Sequence, residues 1–196
     1  MTSAINYLEQ YISLCDDMTR SLFLTFIHVQ THPKRSLIAC QDKKDHYCYV
    51  IRKGLVRGYY KTNKGEVTDF LWQENDVFGY PQNEKQDSFE HYYQALELVE
   101  LYCIPLSKWK LLVCNSRELA NLERLMLVRN INKLTNVIIS KYQNAKVLYH
   151  NFEKEQPELL KRVPLKYIAS YLGVRSETLS RIRKEYASIN RAIQKP

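Results

Sequence analysis

The chain has 196 residues, 45% of them hydrophobic, and 29 lysines and arginines stand against 21 aspartates and glutamates for a formal net charge of +8. That length and composition suit two globular domains with ordinary cores. There is no run of about 18 apolar residues, and the start Met1-Thr2-Ser3-Ala4-Ile5-Asn6 lacks the basic and apolar regions of a secretory leader, so a cytoplasmic protein without membrane association is expected.

Asn6 to Val29 is predicted to be mostly helical, with Leu8, Ile12, Leu22, Phe26 and Val29 as core. His28 and His32 fall four apart at the end of that helix; without a third ligand they read as a solvated pair. Residues 37–104 read as antiparallel β. Tyr47 to Ile51 is a β-prone run punctuated by Lys53-Gly54. Leu55 to Tyr60 follows, then the turn Thr62-Asn63-Lys64-Gly65, and then Val67 to Trp72, stopped by Glu74-Asn75-Asp76. Leu98 to Ile104 closes the set, and Pro105 suits the start of a helix. Short strands separated by regular turn signals indicate a sandwich or barrel.

Cys15, Cys40, Cys48, Cys103 and Cys114 match no metal-ligand spacing, and Cys48 and Cys103, in strands, read as small core residues. No metal site and no cofactor are expected. Five glycines leave no room for a glycine-rich phosphate loop, and neither a Ser/His/Asp arrangement nor a paired-carboxylate motif presents itself. The chain therefore reads as something other than an enzyme.

Ser116 to Lys154 is a long helical tract without glycine or proline. Ala120, Leu127, Ile131, Leu134 and Ile138 share one face, with Leu119, Leu122 and Met126 beside it. A surface helix needs one apolar stripe, whereas this band is wide enough to serve its own domain and a partner helix. Packing within the monomer alone is the alternative. Tyr142 to Glu153 reads as a further helix, closed by Gln156-Pro157-Glu158.

Residues 161–196 hold nine basic side chains and two acidic ones, Glu177 and Glu185, so this tail carries +7 of the +8. Such concentration is the footprint of a polyanion-binding module. Pro164 suits a first helical turn; Leu165, Ile168, Ala169 and Leu172 then repeat at i, i+3, i+4, i+7. Gly173 supplies a left-handed stop. After Val174-Arg175, Ser176 is expected to cap a second helix with Leu179, Ile182 and Tyr186 inward and Ser176, Glu177, Ser180, Arg181 and Lys184 outward. The pattern is a helix-turn-helix, with an ordinary αα-hairpin as the alternative. Its outward residues are of the types that read base edges and hold phosphates.

Ile168-Ala169-Ser170-Tyr171-Leu172-Gly173-Val174-Arg175-Ser176-Glu177-Thr178-Leu179-Ser180-Arg181-Ile182 resembles the DNA-binding signature of Crp/Fnr-type bacterial transcription regulators. The resemblance implies base contacts from Glu177, Ser180 and Arg181. The wider DNA-binding set becomes Lys166, Arg175, Ser176, Glu177, Thr178, Ser180, Arg181, Arg183 and Lys184. Ala187 to Pro196 is too short for the β-hairpin wing of many members, so a reduced or absent wing is expected. Tyr49-Val50-Ile51-Arg52-Lys53-Gly54-Leu55-Val56-Arg57 resembles the signature of the cyclic-nucleotide-binding β-roll, and Lys64-Gly65-Glu66 and Asn75-Asp76-Val77-Phe78-Gly79 resemble its following turns.

The resemblance implies an α+β chain. A cupin-like antiparallel β-roll with flanking helices occupies residues 1–115. A dimerisation helix with a hinge near Asn136 to Ser140 occupies 116–140, its seam formed by Leu127, Ile131, Leu134 and Ile138. The all-α DNA-binding domain occupies 141–196. Double-stranded, palindromic DNA, a second copy of the chain and RNA polymerase are the implied partners. A ligand-independent regulator with the roll as scaffold, or a signalling module whose tail binds protein or RNA, are the other readings.

A cyclic-nucleotide cassette needs a glutamate after the glycine of the second turn and an arginine for the phosphate. Here Tyr80 and Pro81 follow Gly79, and no arginine occurs from Gln82 to Leu98. Lys85 cannot reproduce an arginine's fork, so cyclic AMP is not expected as ligand. A pocket of Gly79, Tyr80, Phe89, Tyr92 and Tyr93 would suit an apolar or planar effector of unknown identity, or be filled by its own side chains. The self-filled case is favoured.

Overall fold

The computed structural model describes residues 12–40, 46–79, 90–140 and 142–193. The first full helix, α1 (Asp17–Phe26), starts where Asp16 Oδ1 accepts the Thr19 N–H at 2.9 Å and Oδ2 accepts the Thr19 hydroxyl at 2.7 Å. This is an N-cap that satisfies a donor the helix leaves open. Those bonds from Thr19, the backbone one foremost, hold the Asp16 carboxyl below the usual carboxylate range. Phe23 is buried, and Ile12, Leu22 and Phe26 pack against the same cluster.

The helix does not reach Val29. Ile27 is already extended (φ −81°, ψ 136°), and His28–His32 form strand β1. Val29 is 51% exposed rather than core. The stretch Val29-Gln30-Thr31 gains a full antiparallel ladder by pairing with the final strand, and that pairing overrides the helical spacing of Leu22, Phe26 and Val29. His28 and His32 therefore sit on a strand. Leu8 lies outside the described residues.

Seven further strands follow: β2 (Leu37–Cys40), β3 (Tyr47–Lys53), β4 (Val56–Thr62), β5 (Gly65–Trp72), β6 (Val77–Phe78), β7 (His91–Ala95) and β8 (Val99–Pro105). They form two four-stranded antiparallel sheets, ordered β1-β8-β3-β6 and β2-β7-β4-β5. The fold class is α+β, an antiparallel β-roll with flanking helices. Two glycines are needed where the strands turn. At Gly54 (φ +104°) an added Cβ would lie 2.5 Å from the Leu98 carbonyl oxygen, and at Gly79 (φ +97°) 2.2 Å from that of Tyr47. Only glycine tolerates both the dihedral and the approach.

Between the sheets the core is aromatic. Trp72 stacks on Phe70 at 4.6 Å and on Phe78 at 5.1 Å; Tyr49 stacks on Phe78 at 4.9 Å, and Tyr93 closes on both Trp72 and Phe78. Ile51, Val56, Ala95, Val99, Leu101 and Cys103 fill the remainder. Burial of the Cys103 thiol pushes it up to about 12, so this sulfur behaves as a small apolar core group.

The other face of the first sheet is covered by α1, α2 (Leu106–Asn115) and the start of α3 (Arg117–Ser140). Phe23, Val50, Ile104, Trp109, Leu119 and Leu122 meet there, and Trp109 donates to Glu123 Oε1 at 2.8 Å. Leu119, Leu122 and Met126 thus pack on their own roll. Helix α3 runs through Asn136–Ser140 without a break, so the interruption comes later than that stretch. It falls before Asn144, whose side-chain oxygen accepts the Lys146 N–H at 2.9 Å and starts α4 (Ala145–Glu155). Pro157 does more than close that helix. It opens an extra short one, α5 (Pro157–Arg162).

Candidate nucleic-acid interface

The C-terminal segment folds as two helices, α6 (Leu165–Leu172) and α7 (Ser176–Ile193). Ile168, Ala169 and Leu172 are buried on α6, and Leu179 and Ile182 on α7. Gly173 takes the left-handed conformation (φ +70°), and the Val174 N–H reaches back to the Ala169 carbonyl at 2.9 Å. That 6→1 bond satisfies a terminal carbonyl and turns the chain sharply. Ser176 is the first residue of α7, inside the helix rather than at its cap. Tyr186 packs on Tyr149 and stacks on His150, and Lys146 pairs with Glu185 at 2.7 Å, so α4 braces α7 from behind. The tail described to Ile193 continues α7 as helix.

Arg175, Ser176, Glu177, Arg181, Arg183 and Lys184 are exposed, and Thr178 and Ser180 are half-buried. At roughly 100° per residue, Glu177, Ser180, Arg181 and Lys184 fall within one third of the helix circumference. Arg183 stands apart from that face, on the side of Tyr149. Burial pushes the Tyr149 phenol up, with Arg183 acting weakly in the other direction. Lys166, on the first turn of α6, is exposed, with its Nζ 4.7 Å from the Tyr167 ring centre. Among the described residues, Arg175, Arg181, Arg183 and Lys184 have no carboxylate partner.

One basic residue of the tail is engaged inside the molecule. Arg162 donates two hydrogen bonds to Glu74, at 2.7 and 2.9 Å, and also bonds Glu97. Burial works against ionisation of Glu74, but the Arg162 guanidinium and the Gly54 N–H outweigh it and pull the carboxyl down to about 2. Arg162 is correspondingly raised by its hydrogen bonds to Glu74, against some desolvation. The tail's free positive charge is thus smaller than its composition suggests.

Helix α6 lies along β5, the edge strand of the second sheet. Ser170 Oγ accepts the Thr68 N–H at 2.9 Å, covering a donor the sheet edge exposes. Arg57 is 1% exposed; its Nε donates to Thr68 Oγ1, its terminal nitrogen pairs with Glu66, and its guanidinium lies between the rings of Tyr59 and Tyr167 at 4.4 and 4.0 Å. Leu55, Leu71 and Leu96 complete the contact from the roll. Sequence alone does not single out Arg57, Glu74, Glu97, Arg162 and Ser170: the Arg162 and Ser170 contacts span more than sixty residues, and Arg57 is enclosed only when Glu66 and Thr68 of the adjacent strand and Tyr167 of α6 come together.

The expected effector set is not one pocket. Gly79 sits at the end of β6, while Tyr80 and Phe89 lie outside the described residues. Tyr92 and Tyr93 are neighbours on β7 and point to opposite faces, as the strand period requires. Tyr93 enters the aromatic core, whereas Tyr92 stacks on Tyr59 at 5.2 Å on the outer face. Leu127, Ile131, Leu134 and Ile138 do share a face of α3, and all are exposed in the single chain, at 37–59%. Among the described residues, no group of three His, Cys, Asp or Glu is placed to hold a metal ion, and no helix is long and apolar enough to cross a membrane.

No family model matches the chain, and no curated protein matches it. Solved structures do. A protein from Eubacterium rectale assigned to the Crp/Fnr family of transcriptional regulators superposes with a TM-score of 0.69 at 16% identity, covering 90% of this chain and 85% of that one. The chain has the Crp/Fnr fold. FixK2 from Bradyrhizobium japonicum gives a TM-score of 0.71 at 16% identity, over 84% of this chain and 86% of its own. CLP from Xanthomonas campestris, a c-di-GMP responsive global regulator, gives 0.66 at 13% identity, over 89% and 93%.

Proposed function

We propose that the chain is a homodimeric, sequence-specific DNA-binding transcription regulator of Crp/Fnr type, acting in the bacterial cytoplasm and without catalytic activity. The observation that carries this reading is the outer face of α7, where Glu177, Ser180, Arg181 and Lys184 stand together on a braced helix. The arginine offers a fork to guanine, the glutamate an acceptor for cytosine, and the lysine a point charge for phosphate. This reading assigns the sensor roll to residues 1–115, the dimer helix to 116–140 and the DNA-binding domain to 141–196. Two such helices about 34 Å apart would read a palindrome in successive major grooves, and RNA polymerase is a further partner of a regulator so placed.

The exposed apolar residues Leu127, Ile131, Leu134 and Ile138 support a seam between two copies of α3. The stacked rings inside the roll support a regulator that does not take cyclic AMP there. They equally favour a second reading, in which the roll is a scaffold and DNA binding needs no ligand within it. Selection of duplexes from a random pool, followed by anisotropy titration at several salt concentrations, tests the proposal. A single enriched palindrome bound with a steep salt dependence is expected. No enrichment over random duplex would overturn it.

A further inference from the structure

Helix α3 has a second face that the apolar stripe does not use. At roughly 100° per residue, Arg129, Asn132 and Asn136 lie about half a turn around from Leu127, Ile131 and Leu134. Against that face opens a cleft of about 400 Å³, bounded on the far side by α4 and by Tyr171 and Leu172 of α6.

The chemistry of the walls is divided. Leu148, Phe152 and Tyr171 give an apolar floor, and the last two rings meet edge to face at 6.1 Å. Asn136 of α3 and Asn151 of α4 both line the cleft, and the Asn151 amide donates to Gln143 Oε1 at 3.4 Å. Two cations border the cleft, and they are not equivalent. Lys133 Nζ holds the buried Asp76 carboxylate at 2.7 Å, while Arg129 reaches the same carboxylate only through Nε at 4.0 Å and is 57% exposed. Asp76 is therefore neutralised by the lysine, and the two terminal nitrogens of Arg129 are left without a carboxylate among the described residues. Glu155, also on the wall, is exposed to solvent.

We propose that this cleft binds a small organic carboxylate with a flat apolar body. The Arg129 fork takes the carboxylate, a geometry a lysine does not offer. The ring lies over Phe152 and Tyr171, and the two asparagines meet its polar edge. The volume falls in the range of small-molecule sites, which combine an apolar lining with few polar groups. Because the walls belong to α3 on one side and to α4 and α6 on the other, a bound molecule spans the junction between them. A ligand that prefers this arrangement over others raises its population in proportion to that preference.

Calorimetry on the full chain with indole-3-acetate as probe tests the site, whether or not the chain binds DNA. Indole-3-acetamide, which keeps the ring and removes the charge, is the control. Saturable one-site binding of the acetate is expected, with the acetamide at least about tenfold weaker, as befits a lost charge-assisted bond. Arg129→Gln should weaken the acetate by a similar factor and leave the acetamide unchanged. Asn136→Trp, which fills the cleft from an exposed position, should weaken both, and circular dichroism should show both variants folded. Absence of saturable acetate binding, equal binding of acetate and acetamide, or full binding by Arg129→Gln would each overturn the proposal.

Discussion

Arg162 and Glu74 meet as two forks, at 2.7 and 2.9 Å, across 88 positions of chain. Glu97 takes the remaining side of the guanidinium, so the end of α5 is tied to two turns of the roll at once. With Ser170 on the Thr68 N–H and Tyr167 on Arg57, these contacts seat the helix-turn-helix on the second sheet. The junction combines these polar contacts with the apolar patch of Leu55, Leu71 and Leu96. It should respond to charge and pH more than an apolar one would.

Replacement of Arg162 by alanine leaves two partly buried carboxylates unpaired, and should lower stability by about 1–3 kcal/mol. Thermal unfolding measures this, and limited proteolysis near Asn144 should speed up if the helix-turn-helix loosens from the roll. The pH dependence follows from Glu74. Its carboxyl falls from the ordinary 4.5 to about 2 in the folded chain. A depressed folded value means stability that is fully present above pH 4.5 and is lost as pH falls towards 2. Glu74→Gln should flatten the melting curve's pH dependence in that window. An unchanged profile would place the acid sensitivity elsewhere.

Ile131→Asp and Leu134→Asp should separate the two copies of the proposed dimer. Each residue is exposed in the single chain, at 59% and 37%, so the charge costs little in the monomer and much in a seam where it would be desolvated without a partner. Sedimentation should show folded monomers with an intact roll. A dimer unchanged in both variants would move the contact off this stripe.

Cyclic AMP should give no saturable heat at physiological concentration. The space between the sheets is occupied by Phe70, Trp72, Phe78 and Tyr93, and an anionic phosphate there would lack an arginine to offset its desolvation. Trp72→Ala should cost about 3–5 kcal/mol, as expected of a large ring removed from a packed core. A micromolar dissociation constant for cyclic AMP would contradict the occupied-core account.

The helix-turn-helix was legible because its signals are local. Gly173 stops one helix, Leu165 to Leu172 repeat at helical spacing, and the outer residues of α7 follow from the same period. The β-roll was legible as a class from its turns. Four details were not. The spacing of Leu22, Phe26 and Val29 continued a helical pattern past the point where pairing with β8 takes over. The absence of glycine and proline hid the end of α3, whose true signal was the capping Asn144. Arg162 counted as one more tail cation, since only the folded chain brings Glu74 and Glu97 beside it. Tyr92 and Tyr93 were grouped by proximity in sequence, although strand alternation separates them.

The proposed base-reading role of α7 is tested most directly by comparing selected palindrome with random duplex for the wild type, Arg181→Ala and Lys184→Ala. Both residues are exposed and unpaired with carboxylates among the described residues, so neither change should disturb the fold. Arg181→Ala should cost about 1–3 kcal/mol on the palindrome and reduce its preference over random duplex. Lys184→Ala should weaken both duplexes alike and reduce the salt slope by about one. If Arg181→Ala left the ratio of the two dissociation constants unchanged, this face of α7 would not be the surface that reads sequence.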